Sequence, residues 1–320
     1  MLGRIQKTSA EAILRDNWRE DSRAEMILRG AVEPLKVAGF PGSSTVTKLM
    51  LLAPDSAFTD ILDLGDKIDP TGVSQFSIAS LRSFSDAVFI EEGFPIPTAQ
   101  GVFEGQLIGP VRKLALIAPV TNELENLSAP AASVLISRLL KNSVSTGGEK
   151  VLLSADPETA AAPAGLRFGV PPIAAGASAA EDHKALLAAI SAAGVSTRSV
   201  VLIVASDLFA AFETLQWPNF KRKVIEAKTL TNGTIVALAA DGFVVAGEGE
   251  PVVDASSQST LHLANPASQI GTPATAPDPN VVAAPTVSMF QIDAFSLRCI
   301  ARVTWSVAPG CIAWIENATW

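Results

Sequence analysis

Charge is scarce in this chain of 320 residues: Asp, Glu, Lys and Arg make up only 18%, where soluble proteins carry about 25%. Hydrophobic residues make up 48%. A chain so poor in charge is expected to hide much of its surface against partners. Long apolar runs are missing too. A membrane-crossing helix needs about 18 or more apolar residues in a row, and the longest stretches here, such as 200–205 and 234–240, are strand-sized. Arg4, Lys7, Glu11, Arg15 and Asp16 interrupt any apolar leader. The expectation is a soluble, non-secreted protein with no membrane partner. A basic face is also lacking, since 24 basic and 32 acidic residues leave a net charge of −8. That excludes a general nucleic-acid binder, which must displace counterions from phosphates. It is compatible with a wall that encloses nucleic acid without gripping it.

The residues that carry most chemistry are few. Cys299, Cys311, His183 and His262 are the only cysteines and histidines. No CxxC, HExxH or His-rich spacing occurs, so no metal site is expected. Cys299 and Cys311 flank a turn at Ala308-Pro309-Gly310 and could lie on paired strands. Buried thiols are the favoured reading, with a disulfide as the alternative. A G-x-S-x-G elbow, a P-loop and a GxGxxG after a strand are absent, and Gly247-Glu248-Gly249 lacks the spacing for pyrophosphate. His183, beside Glu181 and Asp182, reads as an exposed solvated histidine before it reads as a general base. His262 alternates with Leu261 and Leu263, which places it on the other side of a strand. Glu91 and Glu92 are adjacent, and neighbours on a strand face opposite ways, so they do not make a carboxylate pair. The sequence therefore predicts no enzyme, no catalytic residue and no cofactor.

What is present is a succession of elements. Residues 8–29 predict a helix capped by Thr8 or Ser9, with an apolar stripe through Ile13, Leu14, Trp18, Ile27 and Leu28 and a face of alternating charge. From 39 to 80 no period is sustained, apart from a possible short helix at 57–64. Residues 83–120 alternate imperfectly between apolar and polar, divided by Gly93, Pro95, Pro97, Gly101 and Gly109-Pro110, and predict a long two-stranded hairpin. Such a ribbon is marginal in water unless it docks onto something. Ser128-Ala129-Pro130 opens a helix over 129–144, expected to end at Gly147-Gly148. A helix at 181–193, a buried strand at 199–206, a short helix at 208–215 and strands at 224–227 and 234–238 follow, a pattern suited to a mixed α/β domain. Residues 265–285 are rich in Pro, Ala and Thr and predict an exposed loop. Strands are expected at 286–293, 296–307 and 311–316, with Trp305 and Trp314 buried.

In order and spacing these elements resemble the major capsid proteins of tailed bacteriophages, the HK97-fold family. The resemblance rests on the ribbon 102–120, the helix 129–144, the Leu152-Leu153-Ser154-Ala155-Asp156-Pro157 and Pro163-Ala164-Gly165-Leu166 turns, and the ending from Ser288 to Trp305. It implies an α+β, HK97-like capsid fold. Residues 1–80 would be the N-arm, 81–120 the E-loop, 121–165 the peripheral domain with its spine helix, 166–285 the axial domain, and 286–320 the returning peripheral strands. It implies a shell subunit that self-assembles into hexamers and pentamers around phage double-stranded DNA, bound without sequence specificity, in a virion assembled in the host cytoplasm. Scaffold, portal and decoration proteins are the implied partners. Subunit contacts are expected at Trp18, Arg19, Glu91, Glu92, Phe103, Glu104, Arg112 and Lys113. Many relatives carry a cleaved scaffolding segment ahead of the arm; here the scaffold is expected to be separate or an upstream part to be missing. Some relatives cross-link an E-loop lysine to a neighbour, and although Lys113 lies in the matching hairpin, no motif supports that reaction. An encapsulin-like compartment shell is the alternative; a hydrolase or carbohydrate-binding protein is a third reading, weakened by the lack of a site.

Overall fold

A computed structural model describes residues 56–70, 75–92, 94–127, 132–214, 222–247, 251–262, 271–272, 281–282 and 286–320. The helix expected at 8–29, with Trp18 and Arg19, lies outside the described residues, as does most of the loop at 265–285. The chain runs through α1 (Phe58–Leu62), β1 (Asp66–Ile68), β2 (Phe76–Phe84), β3 (Gly101–Ile108), β4 (Arg112–Thr121), α2 (Asn122–Leu127) and α3 (Ala132–Leu152). It continues through β5 (Ile173–Ala174), α4 (Ala179–Ala192), β6 (Val200–Ala205), α5 (Ser206–Thr214), β7 (Val224–Ala227), β8 (Ile235–Ala239) and β9 (Phe243–Gly247). Then come β10 (Val252–Ser256), β11 (Thr260–His262), β12 (Gly271–Thr272), β13 (Val281–Val282), β14 (Thr286–Ser288), β15 (Ala294–Val307) and β16 (Ile312–Glu316). These residues divide into two compact units.

The larger unit takes in 56–116, Leu139–Val252 and Cys299–Trp320. Its centre is a mixed sheet in the order β5-β16-β8-β6-β7. Strand β6 is buried along its whole length, and the two-residue period sends its side chains alternately to two cores. Val201, Ile203 and Ala205 join α1, the end of α3, Trp305 and Trp314 in one core. Val200, Leu202 and Val204 join Leu186 and Ile190 of α4 and Leu208 of α5 in the other. Helix α4 starts where Ser178 accepts a hydrogen bond from Glu181 N–H. The indole N–H groups of Trp305 and Trp314 donate to Ala164 O and Val170 O at 2.8 Å, so both bury large area without an unmade bond.

In the smaller unit, Ile117–Arg138 and Val253–Arg298, Asn122 fastens α2 to the chain ahead of β15. Its N–H donates to Asp293 O at 3.0 Å and its side-chain amide to Asp293 Oδ1 at 2.7 Å. Asp293 has φ 47°, a left-handed conformation that short polar side chains tolerate best. The strand expected over 286–293 is therefore only β14, followed by a 3-10 turn at Phe290–Ile292.

Three further expectations are corrected. First, the ribbon is not one hairpin over 83–120. β2 pairs antiparallel with β3, from Phe76 opposite Ile108 to Phe84 opposite Gly101, while β4 belongs to a different sheet, that of β15. Gly109, at φ 115°, turns the chain between β3 and β4 where a Cβ would be strained. Second, α3 does not end at Gly147-Gly148 but runs on to Leu152. Gly148 is there for packing: a Cβ on it would stand 2.6 Å from the Phe58 ring. Third, Cys299 and Cys311 do not lie on paired strands: Cys299 is in β15 and Cys311 just precedes β16, and these strands belong to different sheets. Both are buried and outside any disulfide, as favoured from the sequence. Burial pushes the Cys299 thiol up, with Lys141 pulling the other way.

Candidate assembly surface

The hairpin β2–β3 is anchored at its base and bare at its tip. At the base, Ile108 packs with Val244 and Ala246, flanked by Ile68, Phe76 and Ile78. The Gln106 amide donates to Ser306 Oγ at 2.8 Å. At the neck, Ser85 N–H and its hydroxyl both donate to Gln100 O, and Gln100 N–H donates back to Ser85 Oγ at 2.9 Å. Beyond the neck the described residues from 86 to 99 form no strand. Phe94 N–H donates to Glu91 O at 3.2 Å and turns it.

That tip is apolar and open to solvent. Phe89 is fully exposed, and Phe94 and Ile96 stand 65% and 84% exposed; Phe84, Val88 and Val102 are each more than half exposed. Single exposed apolar residues are ordinary, but a contiguous set on one projecting loop marks a surface meant to be covered. Asp86, Glu91 and Glu92 are exposed among them, so the tip joins apolar side chains to negative charge.

Of the residues expected at contacts, Glu91 and Glu92 lie on this tip, in an irregular loop and not on a strand. Phe103 and Glu104 lie in β3, opposite Leu81 and Ser80. Lys113 is exposed on β4. Arg112 is engaged within its own protomer, donating to Glu158 Oε1 at 2.9 Å and to Ala160 O at 2.8 Å. Phe89, Phe94 and Ile96, exposed on the same tip, were not among the residues expected at contacts. Their signal was apolar side chains set between Gly and Pro, where no strand or helix could bury them.

Chemistry elsewhere is sparse. Among the described residues, no group of three or more His, Cys, Asp or Glu is placed to hold a metal ion, and no helix is long and apolar enough to cross a membrane. An open cleft of about 430 Å³ at the hairpin base is lined by Leu107, Phe168 and Trp305 among others, with Glu158 as its one titratable lining residue. Since Glu158 is tied to Arg112, the cleft offers no acid–base pair. His183 is half-buried on α4, a correction to the exposed side chain expected. Burial, then the nearby Arg222 guanidinium, holds its pKa below the usual histidine value.

No family model matches the chain, and no curated protein matches it. Solved structures do. A chain of Mycobacterium phage Bobi aligns at TM-score 0.60 and 13% identity, covering 89% of this chain and 97% of that one. A chain of Gordonia phage Cozz aligns at TM-score 0.60 and 12% identity, covering 89% and 94%. The capsid of the native GTA particle aligns at TM-score 0.53 and 12% identity, covering 88% and 96%. At such identities the likeness is one of fold, and it spans nearly the full length of each partner: this chain has the fold of these phage and GTA-capsid chains.

Proposed function

We propose that the chain is a capsid shell subunit, the major capsid protein of a tailed bacteriophage with the HK97-like arrangement. The observation that carries this reading is the hairpin tip: an apolar surface at 86–99 that its own protomer leaves bare, on a fold shared with the GTA capsid. Residues ahead of the hairpin act as the arm, the β2–β3 hairpin (76–108) as the E-loop, 112–165 and 286–320 as the peripheral domain, and 166–285 as the axial domain. Copies gather into hexamers and pentamers through heterologous contacts that close into a shell. Many weak overlaps then sum to a stable wall. The net charge of −8 supports a wall that encloses DNA and does not grip it. Scaffold, portal and decoration proteins are the partners such a subunit would have.

Electron microscopy of the purified full chain tests the reading. Closed shells, capsomers or tubes are the expected outcome. Monomers or dimers alone, over a wide range of concentration and salt, would count against any shell role.

A further inference from the structure

Glu149 on α3 is buried to 1% exposure, yet among the described residues no cation supplies its hydrogen bonds. Four neutral donors do. Oε2 accepts from Ser56 Oγ at 2.6 Å and Ala57 N–H at 2.8 Å. Oε1 accepts from Thr229 N–H at 3.1 Å and Thr229 Oγ1 at 2.8 Å. Each carboxylate oxygen therefore serves one segment. The Oε2 side holds the start of α1, where Phe58 N–H also donates to Ser56 Oγ at 3.1 Å. The Oε1 side holds the turn between β7 and β8. The two segments lie 93 and 80 residues from Glu149 in sequence.

We propose that Glu149 is a two-sided clasp, a positioning residue that couples the start of α1 to the β7–β8 turn, so that loosening either side loosens the other. A buried carboxylate is tolerated only while its lone pairs are filled, and removing donors leaves the desolvation of the charge uncompensated. Loss of the Thr229 hydroxyl leaves Oε1 with the longer Thr229 N–H bond alone. The carboxylate then rotates or draws in water to recover a donor, and either response pulls Oε2 away from Ser56 and Ala57. The clasp rests on protomer geometry alone and stands or falls separately from the shell reading.

Amide hydrogen exchange followed by mass spectrometry on the full chain tests it. In Thr229→Val, the amides of Ala57 and Phe58 are expected to exchange about tenfold faster, the loss of roughly one charge-assisted hydrogen bond. In Ser56→Ala the same is expected of the Thr229 amide. Amides of β6, in the centre of the sheet, stay protected in both. Glu149→Gln keeps the shape but turns one oxygen into a donor, so one of the two segments loses its protection outright. Should that variant fail to fold, the two hydroxyl deletions still decide. Variants that change exchange only in their own segment, or nowhere, overturn the coupling.

Discussion

Gly148 is where local preference and packing oppose each other most plainly. Alanine is favoured over glycine in a helix interior by about 1 kcal/mol, so a glycine in the 21-residue α3 needs a reason. The reason is the Phe58 ring, whose Cζ, Cε1 and Cε2 lie 2.6 to 2.8 Å from the place a Cβ would take. Phe58 is fully buried, and its ring meets Trp305 edge to face at 6.1 Å. It has no room to yield. Overpacking typically costs about 1–3 kcal/mol, which exceeds the gain in propensity. Gly148→Ala is therefore expected to lower the unfolding free energy by a net 1 kcal/mol or so, read by urea denaturation; a more stable protein would show that α1 can move aside. His183 gives a second prediction at this scale. Its folded pKa is depressed below the unfolded value of 6.5 by burial and then by Arg222; Glu181, Asp182 and Lys184 are its charged neighbours on α4. Above 6.5 both states are neutral and the contribution is whole. Below 6.5 the unfolded chain takes up a proton that the folded state resists, so stability falls as pH falls towards the folded pKa. His183→Gln should flatten that slope between pH 7 and 5 in denaturation series, and equal slopes would show that other groups set it.

At the scale of elements the hairpin decides the most. Its base is buried in the protomer and its tip is not, so substitutions at the tip should separate folding from assembly. Phe89→Asp with Phe94→Asp touches exposed side chains, and stability should stay within about 0.5 kcal/mol of the parent. Burying one such side chain at a contact contributes about 1.5–3 kcal/mol. Losing two of them, and adding charge beside Glu91 and Glu92, should weaken association at least about tenfold. Sedimentation velocity beside a thermal melt reads both; a variant that assembles as the parent does would move the contact away from the tip. The existence of these elements was legible where period and punctuation agree. β6, α4, and the strands after Lys223 and after Gly233 follow their sequence patterns. The structure adds a meeting of the two turns at Asp156 and Gly165 that no pattern in the sequence predicts. There Gly165 N–H donates to Asp156 O, and a Cβ on Gly165 would sit 2.1 Å from Ser154 O. What was not legible depended on partners far along the chain. The continuation of α3 through two glycines is decided by Phe58, some 90 residues earlier. The split between β3 and β4 is decided by strands at 76–84 and 294–307 that offer better pairings than each other. The candidate surface was half legible: Glu91 and Glu92 stood out as charges, while the phenylalanines beside them looked like strand core.

For the whole molecule, low charge and an exposed apolar tip set what kind of force would join the copies of the proposed shell. Each copy carries −8, so copies repel one another at long range. That repulsion is screened beyond about 10 Å at 0.1 M salt and beyond about 3 Å at 1 M. On the proposed shell reading the attraction comes from apolar side chains, and burial of apolar surface is strengthened by sulfate and weakened by cooling. The three effects have predictable signs. Raising sodium chloride from about 0.1 M to 1 M should promote assembly by removing repulsion, and sulfate should promote it further at equal ionic strength. Moving from 25 °C to 4 °C should loosen the assemblies. Light scattering against salt and temperature measures all three. If salt instead dissolves the assemblies, then ion pairs hold them. Glu91 and Glu92 would then be facing cations on the neighbour, and the energy of the contact would lie in the charges of the tip and not in its phenylalanines.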